Sequence, residues 1–257
     1  MTTALQPVVF DAPLVTPAPT GLFGATLWTP EDGPLRWLGG GVDVRVFNYG
    51  GGSAFGVWDA DWCAAPDDLG PSDVKTGERP TFPATFDAMT VWSYDDCDLT
   101  ERSQDEVRTR AEQVLRLQEQ TAAETQFAAR LLADAGTPTT VANIVAAVAS
   151  LESKLAVSNT VGLIHASAAL AALAAEANLI VRSGTSLKTP LGHTWVFGGG
   201  YVTGLGDKLV ASSQVFGRRG PVTVRDVMQL KHNRFAAIAE RSLVVGYEAT
   251  VGVVDIT

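Results

Sequence analysis

The chain has 257 residues, of which 46% are hydrophobic and 18% charged, and it carries a formal net charge of −9. This composition excludes a disordered protein and allows a sizeable core in one large domain or two small ones. No apolar run reaches the length of a membrane span, and residues 1–20 lack the basic start and apolar core of a signal peptide. We therefore expect a protein that stays in the cytoplasm, with no membrane partner.

Acidic residues are concentrated in the front of the chain. Residues 1–98 contain fourteen Asp and Glu against four Lys and Arg, whereas residues 99–257 contain fourteen against fifteen. The front therefore carries a net charge of −10 and the remainder +1. Because proteins that grip nucleic acid are usually basic, the sequence disfavours tight DNA binding.

The first hundred residues predict extended structure. Residues 1–40 predict an arm and a loop that ends in glycines, and Val42–Phe47 alternates apolar and polar side chains like a half-buried strand. Residues 55–62 and 82–92 are rich in aromatic and β-branched residues, and a segment rich in Pro, Gly and charge joins them. We predict a long protruding hairpin, which must rest on another surface because isolated hairpins are marginally stable in water.

The clearest predicted helix follows this hairpin. Thr100 is a suitable N-cap, Glu101 suits the positive end of the helix dipole, and Gly136 followed by Pro138 ends the helix. At about 1.5 Å per residue the helix is about 50 Å long, so we expect a beam with different elements on its two sides. Residues at helical spacing are interpreted as its inner face: Val107, Ala111, Val114, Leu117, Thr121, Ala128 and Leu131.

The remaining residues predict a mixture of helices and strands, which gives an α+β fold class. Residues 139–157 predict a second helix and residues 167–178 a third, buried helix of small residues. Residues 233–241 predict a further helix. The predicted strands are 161–166, a hairpin over 187–201, 208–216, 222–227 and one long strand over 243–256.

A glycine-rich segment invites comparison with phosphate-binding loops. Residues 198–206 contain five glycines, but the chain has neither the Gly-x4-Gly-Lys-Ser/Thr spacing of the P-loop nor a dinucleotide fingerprint that opens a helix. We therefore interpret these glycines as a hairpin end or a crossing of two loops, where a side chain would not fit.

Other residue types that often carry chemistry do not form a recognisable site. The three histidines, His165, His193 and His232, are scattered, and Cys63 and Cys97 have no nearby histidine with which to bind zinc. We interpret the cysteines as a reduced pair. The acidic residues at 95, 96 and 98 could bind a cation, although such a cluster more often caps the following helix. The sequence thus predicts no catalytic, cofactor or metal site.

The order of these parts resembles the major capsid proteins of tailed bacteriophages, whose shell fold is named after phage Hong Kong ninety-seven. The matching pieces are Phe86–Cys97 before the long helix, Gly162–His165 before a helix, Leu191–Tyr201, and Ala239–Arg241 before the last strand. The resemblance covers about residues 80–257. Encapsulin shells share the fold and are a close alternative.

The resemblance implies a division of the chain into the parts of that fold. These are an N-terminal arm and first strand (1–45), an E-loop hairpin with P-domain strands (46–98), a spine helix in the P-domain (99–136), a region that is mainly A-domain (137–220), and a C-terminal segment that returns to the P-domain (221–257).

The resemblance also implies a structural function rather than an enzyme. Copies of the chain are expected to form hexamers and pentamers, and then an icosahedral shell that confines double-stranded DNA without sequence-specific binding. Portal and scaffold proteins, and a cement protein, are the partners it implies, with assembly in the host cytoplasm and a final place in the virion capsid. The alternatives are an encapsulin-type protein compartment and a soluble α+β enzyme of unknown class.

Candidate contacts between subunits come from the predicted hairpin and from a basic segment near the C-terminus. Aromatic anchors supply large contact area, and acidic residues of one copy would meet basic residues of the next, so high salt should weaken assembly. The predicted contact residues are Trp58, Trp62, Asp67, Asp68, Lys75, Glu78, Phe82, Phe86, Trp92, Arg218 and Arg219.

Overall fold

The structure, a computed structural model, describes residues 8–33 and 37–257; residues 1–7 of the predicted arm lie outside the described residues. The helices are α1 (Leu22–Ala25), α2 (Glu101–Ala135), α3 (Ile144–Val157), α4 (Ala171–Glu176) and α5 (Tyr201–Gly204). The strands are β1 (Leu27–Pro30), β2 (Met89–Cys97), β3 (Thr139–Val141), β4 (Leu163–Ser167), β5 (Val181–Ser183), β6 (Ser186–Lys188), β7 (Thr194–Gly198), β8 (Lys208–Ser212), β9 (Val215–Arg219), β10 (Thr223–Gln229), β11 (Arg234–Tyr247) and β12 (Thr250–Ile256).

Two sheets organise the fold. In the five-stranded sheet the order is β1-β9-β11-β10, and β2 pairs with the other edge of β11. The 14-residue β11 is long enough to pair with β10 through its first half and with β9 through its second half. The seven-stranded sheet has the order β3-β12-β8-β4-β7-β6-β5. The mixture of helices and sheets confirms the predicted α+β class.

Helix α2 confirms the predicted long helix. The Thr100 hydroxyl accepts a hydrogen bond from the Ser103 amide at 3.4 Å, and Gly136, with φ of 73°, ends the helix in a conformation that favours glycine. Its inner face differs from the prediction, because Val114 and Thr121 are exposed. The buried residues are Val107, Ala111, Leu115, Glu119, Ala123, Glu124, Phe127, Ala128 and Leu131.

The two halves of α2 pack against different elements, as the beam interpretation requires. The first half places Val107, Ala111 and Leu115 against the inward face of β11. The second half places Phe127 and Leu131 in a core that both sheets share. One rigid helix therefore joins the two sheets.

Both faces of the central strands of the seven-stranded sheet are buried, whereas its edge strand β5 is exposed. Successive residues of β8 point to opposite faces: Leu209 belongs to the core under α3 and α4, whereas Val210 belongs to the core around α2. The same alternation holds for β7 and β12. Burial on both faces explains why these strands read as nearly continuous apolar runs.

Three predicted elements near the helices are wrong in type or extent. Within the helix predicted over 233–241, residues 234–241 instead form the first half of β11, because β2 and β10 pair with this segment from both sides. The long strand predicted over 243–256 is two strands, and the chain crosses from one sheet to the other at Glu248 and Ala249. Residues 139–141 form β3, which pairs in parallel with β12, before the second helix begins.

The predicted hairpin is present as two adjacent limbs but not as paired strands. Residues 55–62 form no strand, and Val42–Phe47 alternates in burial yet forms a single bridge, between Val42 and Phe86. The limbs come very close, since a Cβ on Gly77 would lie 2.2 Å from the Cα of Ala54. We call residues 47–83 the protruding loop.

Candidate functional site

The protruding loop exposes large apolar side chains that its own chain does not cover. Trp62 is 99% exposed, and Phe47 and Phe55 are more than 80% exposed. Phe82 is about half exposed. Aromatic side chains of this size are typical of the buried centre of a protein interface rather than of a free surface.

The base of the loop is firmly attached to the rest of the chain. The Glu248 carboxylate accepts hydrogen bonds from the amides of Phe47 and Asn48 at 3.2 and 3.0 Å, and from the Asn48 side chain at 2.6 Å. The hydroxyls of Tyr49 and Thr160 lie 2.9 Å apart. The loop therefore leaves the body of the chain in a defined direction.

The charged residues of the loop fall into two groups. Asp68 caps a short turn by accepting a hydrogen bond from the Ala65 amide, and Lys75 lies 4.5 Å from the centre of the Trp58 ring. Asp67 and Glu78 make no side-chain hydrogen bond or ion pair within the described part of the chain. The predicted contact residues of the loop thus include carboxylates that are available to another molecule.

Two of the predicted aromatic anchors lie outside the loop and differ from each other. Trp92 projects from the outer face of β2 and is 65% exposed. Phe86 is 2% exposed, because its ring packs against Tyr247 and under the Arg130 guanidinium. Phe86 is a core residue of its own chain, so the predicted contact with a second copy is corrected at this position.

The predicted basic partners are already engaged in different ways. Arg218 forms an ion pair with Glu31 of the same chain. Arg219 lies over the Trp28 ring at 4.6 Å and makes no ion pair with a described residue. Their contact with the acidic loop of a second copy stays a prediction.

The described part of the arm lies along α2 of its own chain. The side chains of Gln113 and Gln120 donate hydrogen bonds to the carbonyls of Val15 and Thr20 at 2.7 and 2.8 Å. The arm nevertheless leaves Phe10 80% exposed, which is available for further contacts.

The buried carboxylate of Glu124, on α2, binds both the arm and the glycine-rich segment 198–206. Glu124 is fully buried in α2, and it accepts hydrogen bonds from the amides of Leu22 at 2.9 Å and Gly200 at 2.8 Å, with a third from Gly199. Burial raises the pKa of Glu124, against the opposite effect of these three donors. The sequence interpretation did not identify this residue.

The glycines that resembled a phosphate loop instead make room for this contact. A Cβ on Gly200 would lie 2.2 Å from the carbonyl oxygen of Thr121, and one on Gly198 would lie 2.6 Å from the Glu124 carboxyl carbon. The segment therefore crosses α2 at close range, so the element that approaches the glycines is a helix rather than a second loop.

His165 belongs to a buried polar network beneath the same crossing. Its Nε2 lies 2.8 Å from the Ser212 hydroxyl, which donates its only hydrogen to the Ser213 carbonyl, so Nε2 carries the proton. Its Nδ1 then accepts from the Tyr201 hydroxyl at 3.0 Å. Every polar atom of the imidazole is satisfied, and the ring is closed off from solvent, which indicates a structural role.

This burial has a measurable consequence for stability. Because burial lowers the pKa of His165 to about 3 from 6.5, the unfolded chain binds a proton that the folded chain rejects. Stability is therefore lost as the pH falls below 6.5, by about 1.4 kcal/mol per pH unit for one group. Between pH 6.5 and 5 we expect the wild type to lose about 2 kcal/mol more than His165→Gln in denaturant unfolding. The exposed control His232→Gln should keep the wild-type slope, and an equal slope in all three proteins would contradict the assignment.

The acidic cluster before α2 is used within the chain. Asp95 and Asp96 pair with Arg110 and Arg234, and Asp98 accepts hydrogen bonds from Thr100. Among the described residues no group of three or more His, Cys, Asp or Glu could hold a metal ion. In the same part of the chain no helix is long and apolar enough to cross a membrane.

The buried pair of Glu119 and Arg241 is the second feature that sequence reasoning missed. Arg241 Nη1 lies 3.0 Å from the nearer carboxylate oxygen, and burial raises the pKa of Glu119 against the effect of this arginine. Its position offered a signal, since Glu119 continues the four-residue spacing of Val107, Ala111 and Leu115 into the core.

Comparisons with known proteins place this geometry among viral and bacterial shells. No family model matches the chain, and no curated protein matches its sequence. Its structure is similar to the mature capsid of bacteriophage PhiM1, with 11% identity, coverage of 100% of this chain and 92% of that chain, and a TM-score of 0.54. It is similar to the holo-SrpI encapsulin complex from Synechococcus elongatus, with 13% identity, coverage of 98% and 92%, and a TM-score of 0.55.

A chain from Mycobacterium phage Cain is similar over 100% of this chain and 95% of its own length, with 13% identity and a TM-score of 0.53. These identities are low, so the likeness concerns the course of the backbone. It extends over the first 80 residues, where the sequence resemblance was weakest. The chain has the α+β shell fold of phage capsids and encapsulins.

Proposed function

We propose that this chain is the major capsid protein of a tailed bacteriophage, and that its copies assemble through hexamers and pentamers into an icosahedral shell around double-stranded DNA. The observation that carries the proposal is the protruding loop, whose aromatic side chains are exposed in a chain that matches solved phage capsids over its whole length. A lone subunit would leave these side chains in water.

The physical basis of this function is repeated burial of the same surfaces. Burying apolar area is worth about 25 cal/mol per Å², and obligate interfaces commonly bury roughly 2,000–5,000 Å². In a closed shell every copy makes each contact, so contacts reinforce one another. Loop, arm and β2 are the surfaces we assign to these contacts.

The remaining parts of the proposal concern partners and domains. A portal and a scaffold protein, and a cement protein, complete the proposed assembly in the host cytoplasm, and the mature protein lies in the virion capsid. We assign the five-stranded sheet and α2 to the P-domain and the seven-stranded sheet to the A-domain. The proposed C-terminal segment 221–257 then divides, because β11 lies in the first sheet and β12 in the second.

Electron microscopy of the expressed chain tests the shell function. We expect closed particles of uniform size in negative stain, and a particle peak in size-exclusion chromatography. A chain that stays monomeric over a wide range of concentration and salt would overturn the proposal and favour the alternative, a soluble α+β enzyme.

The encapsulin compartment is the second candidate, and the likeness to the holo-SrpI complex is the observation that favours it. The contents of particles from the native source separate the two. Nuclease-protected double-stranded DNA supports the capsid, whereas a co-purified folded enzyme inside the shell supports the compartment.

A further inference from the structure

A cavity of about 420 Å³ lies between the arm, α2 and the end of β9. Three arginines line it, Arg116, Arg219 and Arg241, together with the apolar side chains of Phe23 and Leu115. Glu112 and Glu119 also line it, so its three arginines exceed its carboxylates by one positive charge. None of its lining residues belongs to the protruding loop of the same chain.

The arginines of this cavity are poorly neutralised. Glu119 pairs with Arg241, at 3.0 and 3.3 Å from Nη1, but the Nε of Arg241 is buried without a hydrogen-bond partner in the described structure. Neither Arg116 nor Arg219 forms a side-chain hydrogen bond or an ion pair with a described residue. Burial and the neighbouring Arg241 lower the pKa of Arg219, against the opposite effect of Glu119.

An incoming carboxylate would satisfy this arrangement. Guanidinium groups bind carboxylates through paired N–H donors, and a buried donor without an acceptor is costly. The apolar wall of Phe23 and Leu115 suits the hydrocarbon part of an acidic side chain. A ligand of this class therefore neutralises the surplus positive charge of the lining, three arginines against Glu112 and Glu119.

The protruding loop is the acidic surface that fits. It contains six Asp and Glu against two Lys and Arg. Three of its carboxylates, on Asp59, Asp67 and Glu78, make no hydrogen bond or ion pair within the described part of the chain. No residue of the loop lines the cavity of its own chain, so we assign the carboxylate to another copy.

We propose that the cavity formed by Arg116, Arg219 and Arg241 binds a carboxylate of the protruding loop of a second copy. This inference rests on the proposed shell function and specifies one of its contacts. The proposed basic partner of the loop therefore no longer includes Arg218, which is paired with Glu31 in its own chain.

Carbodiimide cross-linking of Arg116→Lys tests the contact. The substitution keeps the positive charge and adds an amine that the reagent joins to a touching carboxylate. Particles are assembled from a mixture of ¹⁵N-labelled and unlabelled copies, so a cross-link between copies gives peptide pairs of mixed isotope content. Glu112, one helical turn away, provides a cross-link within the chain that reports on reagent activity.

We expect mixed-isotope pairs that join position 116 to Asp59, Asp67 or Glu78 in particles, and their absence in unassembled protein. Particles that yield only the Glu112 cross-link overturn the cavity assignment and leave the shell function standing. So does protection of position 116 by added duplex DNA without a loop cross-link, which identifies phosphate as the occupant. A wild-type chain that forms no particles defeats the shell function itself.

Charge reversal provides an independent readout. Arg116 is exposed, so Arg116→Glu should leave thermal unfolding of the subunit unchanged while it raises the critical concentration for assembly by about tenfold. Arg182→Glu, an exposed arginine on β5, is the matched control and should assemble like wild type. Equal critical concentrations for wild type and Arg116→Glu would refute the contact.

Discussion

Replacing Glu124 by Ala is expected to lower the free energy of unfolding by about 3 kcal/mol. The change leaves the buried amides of Leu22 and Gly200 without an acceptor, and each orphaned donor costs about 1–3 kcal/mol. Release of a buried charge offsets part of this loss. The measurement is denaturant unfolding of the dissociated subunit, combined with hydrogen exchange at Leu22.

Two further variants isolate the cause. Glu124→Gln keeps the shape and one acceptor oxygen, but its NH2 group faces either the Leu22 or the Gly200 amide, so one donor loses its partner. We expect a loss of about 1–2 kcal/mol, smaller than for Glu124→Ala. Glu112→Ala, at an exposed position on the same helix, should change stability by less than about 0.5 kcal/mol. An equal loss for Glu112→Ala and Glu124→Ala would show that helix composition, not the buried junction, sets the effect.

The same carboxylate contributes a pH dependence opposite to that of His165. Because its folded pKa lies above the ordinary value of 4.5, the folded chain holds a proton that the unfolded chain releases, and stability falls as the pH rises through this range. Glu124→Gln should remove that slope. His165 and Glu124 thus contribute slopes of opposite sign to the dependence of stability on pH.

Sequence reasoning succeeded where local chemistry decides the structure. The ends of α2 are set by Thr100 and Gly136, whose effects act within a few residues. The glycines at 198 and 200 also signalled a close approach, although the partner that approaches, Glu124, could not be named. A carboxylate on a helix normally faces water, and the donors that hold this one lie 76 and 102 residues away in sequence.

Prediction failed where distant pairing overrides local preference. Residues 233–241 have the short apolar and charged pattern of a helix, yet Phe235 pairs with Cys97 and the rest of the segment follows in register. The aromatic residues at 55–62 resembled a strand because β-propensity measures the fit of a side chain to a half-buried surface. The chain itself offers these side chains no such surface, so residues 55–62 form no strand although their composition favours one.

The attachment of the loop links its direction to the packing of the two sheets. Glu248 lies where the chain passes from β11 to β12, and hence from one sheet to the other, and its carboxylate holds the amides at the loop base. Tyr247, the residue before it, packs on Phe86 and donates a hydrogen bond to Asp134 at the end of α2. A shift between the sheets would therefore change the direction in which the loop projects.

Replacing Trp62 by Ser is expected to raise the critical concentration for assembly by about thirtyfold while leaving the stability of the subunit unchanged. Trp62 is 99% exposed in the single chain, so its removal costs the folded subunit no buried contact. A tryptophan that anchors an interface is commonly worth about 2 kcal/mol or more, and about 1.4 kcal/mol corresponds to a factor of ten. Light scattering against protein concentration measures the shift.

The matched control is Val157→Ser, which removes an 89% exposed apolar side chain at the end of α3. It should assemble within about threefold of wild type if the loop, rather than general surface hydrophobicity, drives association. Tryptophan emission adds a direct readout, because a blue shift on assembly that disappears in Trp62→Ser reports burial of this ring. If the mutant assembles at the wild-type concentration, Trp62 is not an anchor and the loop must hold its neighbour through other residues, of which Phe55 and Trp58 are the next to test.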